Sequence, residues 1–519
     1  MKSILPFLFL LASLVACQSS KNDDGLKRTV QGTPDYLAPQ FAEADRLTKM
    51  ASAFPAIDQI YKDFALRNHL PSIAYGVIAE GKLIHSGAFG ETNIADHRPA
   101  DIQARYRIAS MSKSFTAMAI LKLRDEGKLD LQDPAAKYLP ALNDIHYPTT
   151  DSPLLTIQHL LTMSSGFPED NPWGDRQLDD TDQDLLELIQ NGLSFSNAPG
   201  LTYEYSNLGF AILGHIIKTV SGISYQQYIT DHILLPLGMN DSRWEFSEIP
   251  QERLATGYHW VNGQWQEEPI LHDGAYGAMG GLICSIADFS KYVSFHLSAW
   301  PPRNDPETGP VKRSTVREMH QLWRMNPNSP VIDNELSPYV FGYAYGLNWR
   351  KDTRGIMRVG HSGGLPGYGS EWRIYPDYGI GVVSFSNRRY GAPSLANAKV
   401  MDTLVALAQL KPRELPPSKI LEQRKAELLD QFASWNESNE IFAENFYMDK
   451  PQDMWRKEVA EVFSASGPII SAGKLIPENQ LRGTFVVKCE KANVRVFFTL
   501  TPEKNPLVQE LSLILIESP

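Results

Sequence analysis

The spacing of apolar positions changes along this chain, and each change predicts a different element. From Pro39 to about Leu70, Phe41, Leu47, Met50, Phe54, Ile57, Ile60 and Phe64 recur at helical spacing, which predicts an amphipathic helix. Pro55 removes a backbone donor from that stretch, so the helix is expected to kink or split there. The period then shortens. Residues 72–78 and 83–89 are β-rich runs on either side of Ala79-Glu-Gly-Lys82, which predicts a hairpin. A helical, loop-rich region follows from about 113 to 300. Strand-like runs return at 343–349, 355–360, 370–375 and 380–385, and a helix is expected over 397–410. Strands at both ends of a helical insertion predict a single antiparallel sheet flanked by helices, an α+β body over 39–412.

Lys411-Pro-Arg-Glu-Leu-Pro-Pro417 interrupts this pattern and marks a boundary. Beyond it, 418–465 reads as helix and 482–489, 494–501 and 508–516 as antiparallel strands, a small α+β accessory domain over 418–519. At the other end, Met1-Lys-Ser precedes an apolar run over 4–15, too short to cross a membrane, which predicts a secretory signal over 1–17. Its ending, Leu14-Val-Ala-Cys17, resembles the bacterial lipobox, which implies lipidation of Cys17 and a membrane anchor. Gln18, rather than Asp, favours the periplasmic face of the outer membrane where the cell has one. The polar residues 18–38 are expected to form a flexible tether.

Composition narrows the function classes. A formal net charge of −11 argues against a nucleic-acid partner, which wants a basic face. Three cysteines in 519 residues cannot build a disulfide framework. His85, His146, His159, His215, His232 and His272 lie at no spacing that suggests a metal, and they are read as structural.

Candidate chemistry concentrates in four stretches. Ser110 and Lys113 open an apolar, Ala-rich segment read as a buried helix, where positions three apart share a face. A desolvated lysine can take a serine's proton and turn a weak nucleophile into a strong one. Tyr205-Ser206-Asn207 precedes another apolar helix. A tyrosine beside a lysine can be drawn toward phenolate and act as a base, and Asn207 offers an amide to a substrate amide, or a helix cap. Gly277–Ser285 is a glycine-rich turn before a helix expected to be capped by Ser285. His361-Ser362-Gly363-Gly364, placed between two strands, offers backbone N–H groups and a hydroxyl along which an acyl chain can lie. Trp173, Tyr276 and Tyr368 are candidates for lining the cleft.

Ser-x-x-Lys, then Tyr-Ser-Asn, then His-Ser-Gly, in this order, resembles the serine β-lactamase and penicillin-binding-protein superfamily. The branch it is most similar to is the class C-like serine hydrolases, which include D-Ala-D-Ala carboxypeptidases, D-aminopeptidases and esterases. Further phrases fit: Leu160-Leu-Thr-Met-Ser-Ser-Gly-Phe-Pro168, Pro236-Leu-Gly-Met239, Gly280-Gly-Leu, Tyr345-Gly-Leu-Asn-Trp349 and Gly360-His-Ser-Gly-Gly-Leu-Pro-Gly367. The resemblance covers residues 40 to 410 or so and leaves out the C-terminal module. It implies a β-lactamase/transpeptidase-like sheet, acylation of Ser110, proton relay by Lys113 and general-base action by Tyr205. It also implies substrate binding by Asn207, His361, Ser362, Gly363 and Gly364, with an oxyanion hole from the N–H groups of Ser110 and Gly364. A peptide or other small-molecule substrate and neither metal nor organic cofactor follow from the same resemblance; oligomeric state stays open. One departure matters. β-Lactam-hydrolysing relatives usually carry Lys where this chain has His361, a residue mostly neutral at pH 7. The expected function is therefore an envelope-anchored serine hydrolase of amides or esters. The alternatives are a slow or non-catalytic β-lactam- or muropeptide-binding protein, and a true class C-like β-lactamase.

Overall fold

Pro55 splits the N-terminal helix. In the computed structural model, which describes residues 30–333, 336–435 and 440–516, α1 (Arg46–Ala51) stops before α2 (Phe54–Arg67) begins. Pro55 falls in the first turn of α2, where a missing N–H breaks no helical bond. The expected signal segment with Cys17 lies outside the described residues, as does the tether up to residue 29.

The hairpin forms as expected, from β1 (Ser72–Ala79) and β2 (Lys82–Asn93), and β2 pairs further with β3 (Arg98–Pro99). The helical region contributes α3 (Lys113–Asp125), α4 (Asn207–Ser221) and α5 (Ile286–Ser298). The chain then returns to the sheet as β4 (Arg324–Met325), β5 (Val331–Asp333), β6 (Leu336–Tyr343), β7 (Asn348–Asp352), β8 (Met357–Leu365), β9 (Tyr368–Tyr375) and β10 (Ile380–Ser386). The order across the sheet is β3-β2-β1-β10-β9-β8-β7-β6-β4, with β5 pairing β6. β1 joins β10 antiparallel, from Ile73 opposite Ser386 to Ala79 opposite Ile380, so the two ends of the body close on each other. Every residue of β1, β9 and β10 is buried, because helices cover both faces. Ala74, Ile78, Val383 and Phe385 point into the core shared with α5 and α3. Ile73, Val77, Ile380 and Val382 alternate with them and pack on α2 and α6 (Ser394–Leu407).

Two local expectations change. The run 343–349 is two strand ends around a turn, because Gly346 takes φ +65°. A Cβ at Gly346 would lie 2.7 Å from the Lys113 carbonyl, so the turn is pressed onto α3. The segment 361–364 lies inside β8 rather than between strands, with His361 opposite Trp372 and Gly364 opposite Gly369.

The C-terminal part comprises α7 (Lys419–Ala433), α8 (Glu444–Asp449), α9 (Gln452–Ser466), β11 (Ile469–Ala472), β12 (Ile476–Asn479), β13 (Arg482–Cys489), β14 (Asn493–Leu500) and β15 (Val508–Ile516). Its sheet runs β11-β13-β14-β15, with β12 on β13. Phe485, Val487, Val496 and Phe498 form a core of their own with Leu421, Leu428 and Trp455.

Candidate active site

Ser110 stands on a strained turn. Ala109 before it takes φ +53°, a left-handed conformation that costs a side-chain-bearing residue roughly 1–2 kcal/mol. Ala109–Ser112 form one 3₁₀ turn and α3 starts only at Lys113, so the nucleophile precedes the helix instead of opening it. In a 3₁₀ turn residues three apart eclipse, which sets Lys113 directly over Ser110. Lys113 is fully buried. Its Nζ lies 3.1 Å from Ser110 Oγ, 2.7 Å from Asn207 Oδ1 and 3.0 Å from the Met279 carbonyl. The last two oxygens can only accept, so the amine donates to both and turns its remaining position toward Ser110. Burial lowers Lys113 from 10.5 to about 7, against the opposing pull of Asp175 and Asp170. A neutral Lys113 therefore presents its lone pair to the serine hydroxyl. The glycine-rich turn at 277–281 supplies the Met279 carbonyl, and Ser285 caps α5 by accepting from the Asp288 N–H, as expected.

Tyr205 lies against Ser110 from the other side. Lys113 Nζ is 4.9 Å from the centre of its ring, which also packs on Tyr343 and His361 at 6.2 Å each. Burial raises its phenol well above 10, although its hydrogen bond with Ser110 pulls the other way. The sequence suggested a phenolate. The buried lysine carries too little charge to hold one, so the phenol keeps its proton. Asn207 also differs from expectation. Ser206 caps α4 by accepting from the Gly209 N–H, and Asn207 is the first helical residue. Its side chain is fully buried behind the cleft, taking a hydrogen bond from Lys113 and donating to Asn171 Oδ1 at 3.1 Å. Asn207 thus positions the lysine and does not line the cavity. Asp170 completes the helix start by accepting from the Asn207 and Leu208 N–H groups at 2.6 and 2.9 Å.

β8 forms the facing wall. Gly363 is required there, because a Cβ would collide with the Ile108 carbonyl and Ser370 Oγ and reach 3.0 Å from Ala109 Cβ. His361 Nδ1 sits 2.5 Å from the Ser362 carbonyl, which can only accept, so the ring proton is on Nδ1. Nε2 then accepts from the Tyr343 hydroxyl at 2.9 Å. Burial, with Lys113 nearby, lowers His361 to about 3. Neutral and engaged at both nitrogens, it cannot replace a lysine as an anion anchor.

A cavity of about 630 Å³ opens over Ser110. Ser110, Tyr205, His361, Ser362 and Gly364 line it; Gly363 and Lys113 lie beneath. Trp173, Tyr276 and Tyr368 do not: Tyr276 and Tyr368 are core residues, and Trp173 is exposed outside. The lining that sequence reasoning missed includes Asp175, Tyr203, Phe341, Arg350 and Tyr390. Arg350, on β7, carries no ion pair among the described residues and lies over Tyr339 and Phe341 at 4.9 and 5.2 Å. Burial and the neighbouring Arg373 lower it to about 10, so it is a cation at neutral pH. No cluster of three His, Cys, Asp or Glu that could hold a metal ion exists among the described residues.

The beta-lactamase family model matches residues 57–407, the segment that holds the sheet and the entire cleft. The chain belongs to the beta-lactamase family. Among curated relatives, it is 28% identical over 337 residues to protein flp of Staphylococcus aureus strain MW2, a match covering 64% of this chain and 62% of that one. It is 27% identical over 380 residues to beta-lactamase-like protein 2 of Dictyostelium discoideum, covering 72% and 66%. The match thus spans less than two thirds of either relative. Among solved structures, the octameric penicillin-binding protein homologue from Pyrococcus abyssi aligns with a TM-score of 0.58 at 22% identity, covering 89% of this chain and 98% of that one. The penicillin-binding protein from Bacillus halodurans aligns with 0.52 at 24%, covering 67% and 98%. At such identities the likeness is one of fold.

Proposed function

We propose that this beta-lactamase family protein is a serine hydrolase that passes through an acyl-enzyme at Ser110 and cleaves a peptide amide or a carboxylic ester. The observation that carries the reading is the buried Lys113 amine, 3.1 Å from Ser110 Oγ and lowered to about 7. Neutral Lys113 takes the proton as Oγ attacks the carbonyl carbon. The N–H groups of Ser110 and Gly364 receive the oxyanion. The proton then passes through the Tyr205 hydroxyl to the leaving group as the bond to the carbonyl breaks. Water repeats the attack, releases the acid and restores Ser110. Arg350 supplies the cation that His361 lacks, and it suits a carboxylate on the leaving group. Because that cation is not on β8, β-lactams are expected to turn over slowly or not at all. Lipidation of Cys17 would hold the enzyme on the envelope, with 418–519 as an accessory domain beside a catalytic one over 39–412.

The test is intact-protein mass after exposure to a fluorophosphonate and, separately, to a penicillin, on wild type and Ser110→Ala. One fluorophosphonate adduct on the wild type alone supports the reading. No adduct on either protein overturns it.

A further inference from the structure

The sheet carries buried positive charge that the chain does not neutralise. Beside the cleft, Arg350 on β7, Arg358 on β8 and Arg373 on β9 line a second cavity of about 20 Å³, with Asn348, Glu371 and Ser394. Arg350 and Arg358 stand directly opposite each other across the β7–β8 ladder, a register in which like charges repel. Burial, and then the charge of Arg373, lowers both. Among the described residues that line this space, only Glu371 is acidic, and it is already engaged. Arg373 Nε donates to one of its oxygens at 2.7 Å and Asn397 Nδ2 donates to the other. Asp352, further along β7, is taken up by the Arg354 guanidinium and by the Arg354 and Ile356 N–H groups.

Two donors are left over. Arg358 Nε and Arg373 Nη1 are buried without an acceptor, on residues only 6% and 4% exposed. The Arg358 side chain makes no hydrogen bond or ion pair among the described residues. It lies 5.0 Å from the centre of the Tyr339 ring, over which Arg350 also stands. Three guanidiniums around one engaged carboxylate leave an excess of positive charge where water screens little, and an anion would offset it. Size narrows the choice. A space of about 20 Å³ takes something close to a water molecule in bulk, whereas the cleft holds about 630 Å³. A substrate's own carboxylate would meet Arg350 from the cleft, which that residue also lines. A monoatomic anion needs no chain behind it and accepts from several guanidinium donors at once.

We infer that Arg350, Arg358 and Arg373 bind a halide ion, chloride being the abundant one, in the small cavity beside the cleft. Ser110 takes no part in this site, so it stands apart from the serine-hydrolase reading. Because Arg350 lines both cavities, the halide would also hold in place the guanidinium assigned to a substrate carboxylate.

Halide binding is read in two ways. Wild type and Arg358→Met are unfolded thermally in sodium chloride, acetate or gluconate at equal ionic strength, and wild-type crystals grown without halide are soaked in bromide. Chloride should raise the wild-type Tm above its gluconate value by about 2 °C or more. Arg358→Met should lose that rise, and its Tm in gluconate should equal or exceed that of the wild type, because one of two repelling cations is gone. General salt effects strike both proteins alike and cancel in the comparison. Bromide should give an anomalous peak between the three guanidiniums. A purely structural Arg358 would instead lower the variant's Tm in every salt and leave its chloride rise intact, which overturns the proposal. No rise on the wild type, or no bromide peak, does the same. An equal rise in acetate would make the ligand a carboxylate and also overturns it. A peak without the Arg358-dependent rise marks an adventitious ion only. Should Arg358→Met fail to fold, the wild-type rise and the bromide peak decide.

Discussion

Lys113→Arg is the substitution that separates a lysine base from a lysine that merely contributes charge. Arginine keeps the cation and the donors, but it does not lose its proton at any working pH. In the wild type, burial brings Lys113 to about 7. At pH 7 about half the molecules then carry a neutral amine, against roughly 0.03% for an ordinary lysine. If only the neutral amine accepts the Ser110 proton, the arginine variant loses on the order of a thousandfold or more in acylation rate. The sign of the pH dependence follows from the same shift. Lys113 is protonated and inactive below about 7 and neutral above it, so the rate should rise with pH and level off once that value is passed. Asp175 holds the lysine's proton on, so Asp175→Asn should move the midpoint to lower pH. The assay is the rate constant of fluorophosphonate adduct formation by intact mass, from about pH 5 to about pH 9. Thermal unfolding of both proteins checks that the larger guanidinium is accommodated. A wild-type profile that is flat across this range, or a folded arginine variant within about tenfold of wild type, would refute the assignment.

Gly363→Ala forces a methyl into the Ile108 carbonyl and Ser370 Oγ, and overpacking of this kind costs about 1–3 kcal/mol. A lower Tm together with slower Ser110 labelling is expected, because the collision falls on the nucleophile's own turn; unchanged values of both would count against that packing. Arg350→Gln should lower kcat/KM for a peptide with a free C-terminal carboxylate by roughly 10- to 100-fold while sparing its C-terminal amide. Equal losses on the two peptides would assign Arg350 a structural role. Burial lowers His320 and His361 to about 3 and His296 well below 6.5, so the unfolded chain takes up protons that the native one refuses. Stability should therefore fall as pH drops through about 6.5 toward 3, read as a lower urea midpoint at about pH 4.5 than at pH 7; equal midpoints would contradict it.

What the sequence carried legibly was local. Ser110 and Lys113 are three apart and one turn joins them, so their proximity needs no knowledge of the fold. The β1–β2 hairpin and β13 to β15 follow from short-range alternation and turn residues. Where a residue's environment came from distant chain, some readings failed. Asn207 looked like a substrate ligand, but Gly174 leaves room for its amide to settle against Asn171, which lines the cleft in its place. The segment 361–364 read as lying between two strands because glycine is rare inside them. Here β8 runs against the Ser110 turn too closely for any side chain at 363.

His361 illustrates the limit most sharply. Read as a letter in a motif, histidine in place of lysine meant a group mostly neutral at pH 7. Strand pairing takes that further. Tyr343, at the end of β6, and the Ser362 carbonyl take up both ring nitrogens, and burial removes the charge at every working pH. The same pairing brings β7 beside β8, with Asn348 opposite Gly360 and Arg350 opposite Arg358, so a cation reaches the cleft from the neighbouring strand. The positive charge has moved from one strand to the next and away from the Lys113 amine. That displacement also protects the mechanism: a lysine at 361 would place a permanent cation beside Tyr205 and Lys113. A cation there would lower Lys113 further and draw Tyr205 toward phenolate. With a neutral imidazole at 361, the proton relay is set by burial against the charges of Asp175 and Asp170, and the charge that selects the substrate is set apart on β7.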